Sequence, residues 1–172
     1  MADAALRDVI ATDLPEFFAH QRDPEATRMA AFTSRDWQAF TAHWAKILAD
    51  ATIIKKAILY DGRIAGNIVC FGPPGDRQVG YWIGRDYWGR GLASSALSQF
   101  LREVRARPLY AYVAKHNVAS IRVLEKCGFT LSRTETAASG AGNAAVEELV
   151  MKLDACDDGR ESQRPEPGSS RR

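Results

Sequence analysis

The segment from Tyr81 to Ser95 carries the residue types best suited to hold a phosphate ligand. It reads YWIGRDYWGRGLASS, a predicted strand followed by a loop with glycines at 84, 89 and 91 and then by a predicted helix. Glycine lets the backbone approach a ligand closely, and the first amides of a helix have no partners within it. These amides and the positive end of the helix dipole favour phosphate or pyrophosphate. The pattern predicts an anion site, and its alternative is a glycine-rich turn needed only for geometry.

Two common phosphate-binding motifs do not fit this segment. The dinucleotide fingerprint needs a third glycine where this chain has Ser94, and an acidic ribose ligand about 20 residues later, where it reads Leu109–Lys115. The ATP-binding P-loop needs Gly-Lys followed by Ser or Thr, which does not occur in the sequence. Nicotinamide and ATP are therefore poor candidates for the ligand.

A second informative segment, HNVASIRVLEKCGF, spans residues 116–129. Asn117 is suited to cap the start of a helix, and Gly128 is suited to end it. Ser120 lies three residues after Asn117 and shares its end of the helix. Cys127 falls in the last turn, where the helix dipole disfavours a thiolate, so it is predicted to be a packed residue rather than a nucleophile.

Together, YWIGRDYWGRGLASSAL and NVASIRVLEKCGF resemble the GNAT superfamily of acetyl-CoA-dependent N-acetyltransferases. The nearest branch is that of the ribosomal-protein N-terminal alanine and serine acetyltransferases, and the resemblance covers Leu6–Leu153. It implies transfer of an acetyl group from acetyl-CoA to a primary amine, by direct attack on the thioester. The acceptor is left open between a protein N-terminus and a small molecule, as is a homodimer. No metal is implied.

The resemblance also implies roles for individual residues. In the family, a Q/R-x-x-G-x-G/A motif wraps the coenzyme A pyrophosphate, and Trp88 here stands in its first position. Asn117 is implied to bind the pantetheine arm, and Ser120 to be the catalytic residue that donates a proton or hydrogen bond to the departing thiolate. A backbone N–H near Tyr81–Ile83 is implied to stabilise the oxyanion. The implied cofactor-binding residues are Tyr81, Trp82, Ile83, Trp88, Gly89, Arg90, Gly91, Leu92, Ala93, Ser94 and Asn117.

The general base is the point where the chain departs from related sequences. A Glu often occupies the position of Gln78, and an amide cannot act as a base. The remaining candidates are Glu25, Asp86, Glu147 and Glu148, each of which is also an ordinary surface carboxylate. A non-catalytic acetyl-CoA-binding module is therefore the alternative function, and transfer of a longer acyl group is a further one.

These motifs lie in a series of predicted strands and helices. Apolar and β-branched runs predict strands at Leu6–Ile10, Thr52–Tyr60, Ile64–Phe71, Gln78–Gly84, Leu109–Val113, Phe129–Arg133 and Val146–Leu153, the last two around a turn at 137–145. Helices are predicted from Asp13, from Ser34, after Gly91 and over Asn117–Cys127, and Asp23-Pro24 begins a short piece that is either helical or irregular. Core packing is predicted for Trp37, Phe40, Trp44, Ile47 and Leu48. The order β-α-α-β-β-β-α-β-α-β-β predicts a mixed α/β (α+β) domain. Its central sheet has about six or seven mostly antiparallel strands flanked by helices.

Length and composition are those of one globular domain. The 172 residues include 23 Lys and Arg against 21 Asp and Glu, and a net charge of +2 gives no reason to expect nucleic acid or an anionic membrane as partner. Charges at Asp3, Arg7 and Asp8 disfavour a secretory signal, so a cytoplasmic location is expected. The domain is predicted to span residues 1–153, followed by a disordered tail at 154–172 that lacks large apolar side chains. The scattered cysteines and histidines predict neither disulfides nor a metal site.

Overall fold

The strands join in one sheet, in a computed structural model that describes residues 3–138 and 145–156. The sheet has the order β1-β2-β3-β4-β5-β7-β6, and only the β4–β5 pair is parallel. The strands are β1 (Ala5–Asp8), β2 (Ile54–Tyr60), β3 (Arg63–Phe71), β4 (Arg77–Ile83), β5 (Leu109–Ala114), β6 (Thr130–Ala138) and β7 (Ala145–Leu153). The predicted mixed α/β domain with a mostly antiparallel sheet is confirmed.

The helices cover both faces of the sheet. They are α1 (Leu14–Gln21), α2 (Pro24–Ala30), α3 (Trp37–Ala49), α4 (Leu92–Glu103) and α5 (Val118–Lys126). The structure adds one helix to the predicted order, because α2 is a helix of its own: the Asp23 carboxylate accepts a hydrogen bond from the Ala26 N–H, and Pro24 fits the first helical position.

Two predicted helix caps are replaced by other interactions. Asp13 does precede α1, but its carboxylate accepts hydrogen bonds from the Arg7 guanidinium at 2.7 Å and from the Ile10 N–H at 2.9 Å. Asp36, rather than Ser34, caps α3, since its carboxylate accepts the Ala39 N–H at 2.8 Å. Asp13 does not cap α1 because its carboxylate is held by the ion pair with Arg7, and Asp36 replaces Ser34 because a carboxylate accepts a stronger hydrogen bond than a hydroxyl.

Each face of the sheet carries its own apolar cluster. Leu92, Leu97 and Phe100 of α4 are buried on one face, and Phe17 of α1 meets Trp44 of α3 on the other, with ring centroids 5.1 Å apart. The predicted core positions Phe40 and Trp44 are buried, and Ile47 and Leu48 are partly buried beside them. Trp37 is 46% exposed, so its predicted core position is wrong: in the first turn of α3 it packs only along the outside of Phe18 and Phe40.

The last two strands are longer than the sequence pattern predicts. β6 extends to Ala138 and β7 starts at Ala145, so residues 137, 138 and 145 belong to strands and not to the predicted turn. Small residues are tolerated there because each is paired across the ladder, Ala137 with Val146 and Ala138 with Ala145. The rest of that turn, and all of the predicted tail except 154–156, lie outside the described residues.

Candidate functional site

A gap opens in the sheet where β4 and β5 separate. Their parallel pairing is limited to Arg77 with Leu109 and Gln78 with Tyr110, whereas β4 stays paired with β3 as far as Ile83. The Gly84 N–H donates to the Ala65 carbonyl on β3. Because backbone groups point alternately to either side of a strand, the N–H groups of Tyr81 and Ile83 face the gap and that of Trp82 faces β3. Of the three residues predicted to donate a backbone N–H to the oxyanion, only Tyr81 and Ile83 therefore direct that N–H into the gap.

The glycine-rich loop brings the start of α4 to this gap. Gly89 and Gly91 have φ angles of 73° and 77°, in the left-handed region that favours glycine. Gly91 is the N-cap of α4, and the first hydrogen bond of the helix runs from the Ser95 N–H to the Gly91 carbonyl. The preceding amides of Leu92, Ala93 and Ser94 thus have no partner within the helix. A Cβ added at Gly89 or Gly91 would meet nothing within 4 Å, so the space before these amides is open to a ligand.

Two side chains of the predicted loop point to other partners. The Trp88 indole N–H donates to the Ile83 carbonyl at 2.9 Å and so ties the loop to the end of β4. The Arg90 guanidinium lies over the Tyr60 ring, 5.5 Å from its centroid, and donates to the Asp86 carbonyl. Trp88 therefore shapes the site, while Arg90 is directed away from it.

The start of α5 faces the same gap from the β5 side. The Asn117 side-chain oxygen accepts the Ser120 N–H at 3.2 Å, which is the predicted helix cap. The Ser120 hydroxyl forms a 2.6 Å hydrogen bond with the Tyr81 hydroxyl of β4. With the Asn117 oxygen used by the cap, its amide nitrogen is the part of that side chain left to bind a ligand.

These elements enclose one cavity of about 350 Å³ that passes through the sheet. On one side it is lined by the loop before α4 and by the starts of α4 and α5, and on the other by α2. Every predicted site residue except Arg90 lines it. The full lining is Ala26, Met29, Ala30, Tyr81, Trp82, Ile83, Tyr87, Trp88, Gly89, Gly91, Leu92, Ala93, Ser94, Asn117, Ala119, Ser120 and Val123.

The α2 residues were missed by the sequence prediction. Ala26, Met29 and Ala30 form a small apolar face at spacings of three and four. That spacing was visible once α2 was taken as a helix, but nothing in it pointed to the gap. The position of α2 depends on a distant contact, since the His116 ring nitrogen Nε2 donates to the Arg28 carbonyl at 2.9 Å.

Among the described residues, those that line the cavity include no carboxylate, Lys, Arg or His. Glu25 forms an ion pair with Arg28, and Glu147 forms one with Lys115 at 2.8 Å. The hydrogen bond from Arg28 lowers the pKa of Glu25, which makes that carboxylate a weaker base. Asp86 and Glu148 do not line the cavity either, and Gln78 lies at the paired start of β4. None of the candidate bases is placed to contact an amine in the cavity directly.

The neutral groups at the gap stay neutral near physiological pH. Burial raises the pKa of Tyr81 to about 12, although the hydrogen bond with Ser120 opposes the shift. Burial also raises the pKa of Cys127, whose sulfur lies 3.8 Å from the Ser94 carbonyl. Cys127 is thus a partly buried thiol at the end of α5, in agreement with its predicted packing role.

The geometry fits a phosphate-bearing thioester that is attacked within the gap. Free amides at the start of α4 suit a pyrophosphate, the narrow gap between β4 and β5 suits an extended arm, and the inward N–H groups of Tyr81 and Ile83 suit a developing oxyanion. Within residues 3–138 and 145–156, no group of three or more His, Cys, Asp or Glu could hold a metal ion. In the same ranges, no helix is long and apolar enough to cross a membrane.

Comparison with known families identifies the domain. A family model described as an acetyltransferase (GNAT) domain matches residues 4–130, which is most of the chain. The search of curated protein sequences found no match to this chain.

Solved structures share its fold. Spermidine N-acetyltransferase from Vibrio cholerae, in complex with CoA and spermine, has a TM-score of 0.77 at 13% identity, over 88% of this chain and 95% of that one. RimJ from Mycobacterium smegmatis, in complex with CoA-disulfide, has a TM-score of 0.74 at 20% identity, and the match covers 88% of this chain and 82% of that one. A ribosomal-protein-alanine N-acetyltransferase from Brucella melitensis has a TM-score of 0.75 at 18% identity, and the match covers 88% of this chain and 99% of that one.

Proposed function

The chain belongs to the GNAT family of acetyl-CoA-dependent enzymes that acetylate amines, and we propose that it acetylates a primary amine by direct attack in a ternary complex. The cavity through the sheet is the observation that carries this proposal. Its α4–α5 side offers open amides for acetyl-CoA, and its α2 side leaves room for an amine. The two substrates would meet where β4 and β5 separate.

The lining favours direct attack over a covalent acetyl-enzyme. In the part of the chain that the structure describes, the lining has no cysteine, and its serines Ser94 and Ser120 have no His or carboxylate within the lining to activate them. The Ser120 hydroxyl is instead held by the Tyr81 hydroxyl. The amine itself is therefore the nucleophile. With no carboxylate in the cavity, water would carry the ammonium proton to solvent.

Each side of the cavity has a defined part in this reaction. The amides of Leu92, Ala93 and Ser94 would bind the pyrophosphate, and the Asn117 amide nitrogen would bind the pantetheine arm. The Tyr81 and Ile83 N–H groups would stabilise the oxyanion, and the Ser120 hydroxyl would stabilise the departing thiolate. Trp88 would support these groups by fixing the loop against Ile83.

The acceptor we propose carries no second charge near its amine. A polyamine needs carboxylates to replace the hydration of its other ammonium groups, and the lining offers none. The apolar face of Ala26, Met29 and Ala30 suits a small uncharged substituent beside the amine. A protein N-terminus that begins with a small residue and a small apolar amine both meet this requirement.

An acceptor panel tests the proposal. Free thiol released from acetyl-CoA is measured with an alanine-initiated peptide, a seryl peptide, phenethylamine and spermidine. We expect the uncharged-substituent acceptors to exceed spermidine in kcat/KM by at least about tenfold, or ~1.4 kcal/mol. A preference for spermidine would contradict the proposed acceptor class.

The same panel decides the alternative function. Replacement of the usual Glu by Gln78 favours a non-catalytic acetyl-CoA-binding module. Calorimetric binding of acetyl-CoA without thiol release for any amine would support that module and contradict the enzyme. Faster release from butyryl-CoA than from acetyl-CoA would instead indicate a longer acyl donor.

A further inference from the structure

The hydroxyl groups of Tyr81 and Ser120 form a closed pair at the gap. They come from β4 and from the first turn of α5, 39 residues apart, and their oxygens are 2.6 Å apart. The Tyr81 oxygen is also 3.4 Å from the Ser120 carbonyl oxygen, a group that can only accept. Both residues line the cavity. The family resemblance places Tyr81 among the cofactor-binding residues and gives a role to its backbone N–H, but it assigns no role to the Tyr81 hydroxyl.

The serine is held from two directions. Its backbone N–H is bound by the Asn117 side-chain oxygen, and its hydroxyl by the Tyr81 phenol. Either hydroxyl can donate in this pair, and we assign the phenol as the donor because a phenol is a stronger hydrogen-bond donor than an alcohol and the Ser120 hydroxyl oxygen, at 2.6 Å, is closer to it than the Ser120 carbonyl oxygen, at 3.4 Å. The hydrogen of the Ser120 hydroxyl is then free to point into the cavity.

We propose that Tyr81 is a positioning residue: its phenol orients the Ser120 hydroxyl to donate a hydrogen bond to the departing thiolate, and neither hydroxyl gives up its proton. This inference rests on the proposed function. It assigns to the pair the stabilisation of negative charge on sulfur and not the supply of a proton. Donors fixed before the reaction stabilise such charge without reorganisation.

The protons of the reaction balance without a proton from the Tyr81 or Ser120 hydroxyl. The N–C bond forms and the C–S bond breaks. The ammonium nitrogen loses one proton to solvent before attack and a second as the amide forms, and the thiolate gains one. The Tyr81 phenol, whose burial raises its pKa to about 12, is a weaker acid than an alkanethiol at about 8.5. Transfer of its proton to sulfur would therefore be uphill. The second proton lost by the nitrogen, moving through water, supplies the thiol.

Three variants test the inference: Tyr81→Phe, Ser120→Ala and the double variant. Each single change removes one hydroxyl and keeps the rest of the side chain. In single-turnover experiments at saturating substrates, we expect Ser120→Ala to reduce the rate about 10–100-fold, the usual contribution of one hydrogen bond to a charged group. Tyr81→Phe should reduce it about 3–10-fold, and the double variant should equal Ser120→Ala, because Tyr81 acts through Ser120. The Kd for acetyl-CoA should stay within about twofold.

Tyr110→Phe is the matched control. Tyr110 lies on β5 outside the cavity lining, so loss of its hydroxyl should leave the single-turnover rate unchanged. Additive losses in the double variant, or no loss in Tyr81→Phe, would overturn the positioning role. An alkaline decrease in rate below pH 10 that Tyr81→Phe abolishes would show that the phenol donates its proton.

Failure of the proposed function has a different signature. If the unaltered protein releases no thiol with any amine, the enzymatic proposal fails and this inference fails with it. If the unaltered protein is active and Tyr81→Phe matches it in rate and pH profile, only the inference fails.

Discussion

The two sides of the cavity are built in different ways. On the side that we propose binds acetyl-CoA, the cofactor side, the polar groups are mostly backbone: the amides at the start of α4, the inward N–H groups of β4 and the capped start of α5. On the side that we propose binds the amine, the acceptor side, three apolar side chains of α2 and the Trp82 indole form the wall. The cofactor side thus depends on where the chain turns, and the acceptor side on which side chains a helix presents.

This difference explains why acceptor choice can change while the coenzyme site stays the same. A backbone site tolerates many side chains provided that glycines and caps keep its conformation. A side-chain wall changes with each substitution on α2. Mutations on the two sides should therefore separate into changes in acetyl-CoA affinity and changes in acceptor KM.

The largest effect is expected on the cofactor side, from Gly91→Val. At a φ of 77° a valine is strained, and its side chain would fill the open space before the α4 amides. We expect the Kd for acetyl-CoA, measured by calorimetry, to rise at least tenfold, about 1.4 kcal/mol.

Gly62→Val is the control that separates the effect of backbone strain at a positive φ from the effect of a side chain that blocks the coenzyme site. Gly62 has nearly the same φ, 74°, and equally open space around its missing Cβ, but it lies in the β2–β3 turn. The Gly62→Val protein should lose a similar amount of stability to Gly91→Val, but its Kd for acetyl-CoA should stay unchanged. Equal loss of affinity in both variants would mean that the α4 loop does not bind the coenzyme.

A smaller effect is expected on the acceptor side, from Ala30→Leu. Leucine is a good helix former, so α2 should persist while the added side chain narrows that side of the cavity. We expect acceptor KM to rise about fivefold, roughly 1 kcal/mol. The Kd for acetyl-CoA should not change, and a parallel rise in that Kd would show that the two sides are not separate.

Asn117 tests whether a cap can also bind ligand. Asn117→Ala removes the oxygen that accepts the Ser120 N–H and should cost about 1 kcal/mol of stability, as well as weakening acetyl-CoA binding. Asn117→Asp keeps a capping oxygen but removes the amide nitrogen. It should retain the Tm and still bind acetyl-CoA more weakly. If Asn117→Asp binds normally, the residue is a helix cap only.

The same contrast decides what could be predicted from the sequence. Glycines at 89 and 91 and the cap at Asn117 encode local backbone geometry, so the sequence predicted nearly all of the residues that line this side of the cavity, while their roles in binding stay predictions. Arg90 was the exception, because its direction is set by the Tyr60 ring, thirty residues earlier in the chain. Local patterns cannot specify such a contact.

The acceptor side and several helix ends depend on tertiary contacts. α2 faces the gap because His116 holds the Arg28 carbonyl, 88 residues away in sequence. The Tyr81–Ser120 pair likewise joins two motifs that were interpreted separately. The sequence predicted the sheet and its flanking helices from periodicity, but not which side chains would meet across the gap.

A titratable side chain lies beside the loop that precedes α4: the mostly buried His20 of α1. Its ring packs against Gly84 and meets the Tyr87 ring edge-on, with centroids 6.2 Å apart. Burial lowers the pKa of His20 below its ordinary value of 6.5, although nearby Glu16 and Asp86 oppose the shift. On the cofactor side, Tyr81 and Cys127 have raised pKa values and stay neutral below pH 7.5.

The smallest predicted effect is therefore a loss of stability on acidification. Between the folded pKa of His20 and 6.5, the unfolded chain binds more protons, so the free energy of unfolding falls as pH decreases through 6.5 and is fully retained above it. We expect Tm to fall by a few degrees between pH 7.5 and 5.5, and His20→Phe, which keeps a ring against Gly84, to fall less. His43→Gln is measured in parallel, because burial also lowers the pKa of His43. An equal fall in Tm for His20→Phe and the unaltered protein would mean that folding does not lower the pKa of His20, and that this histidine is not the source of the pH dependence.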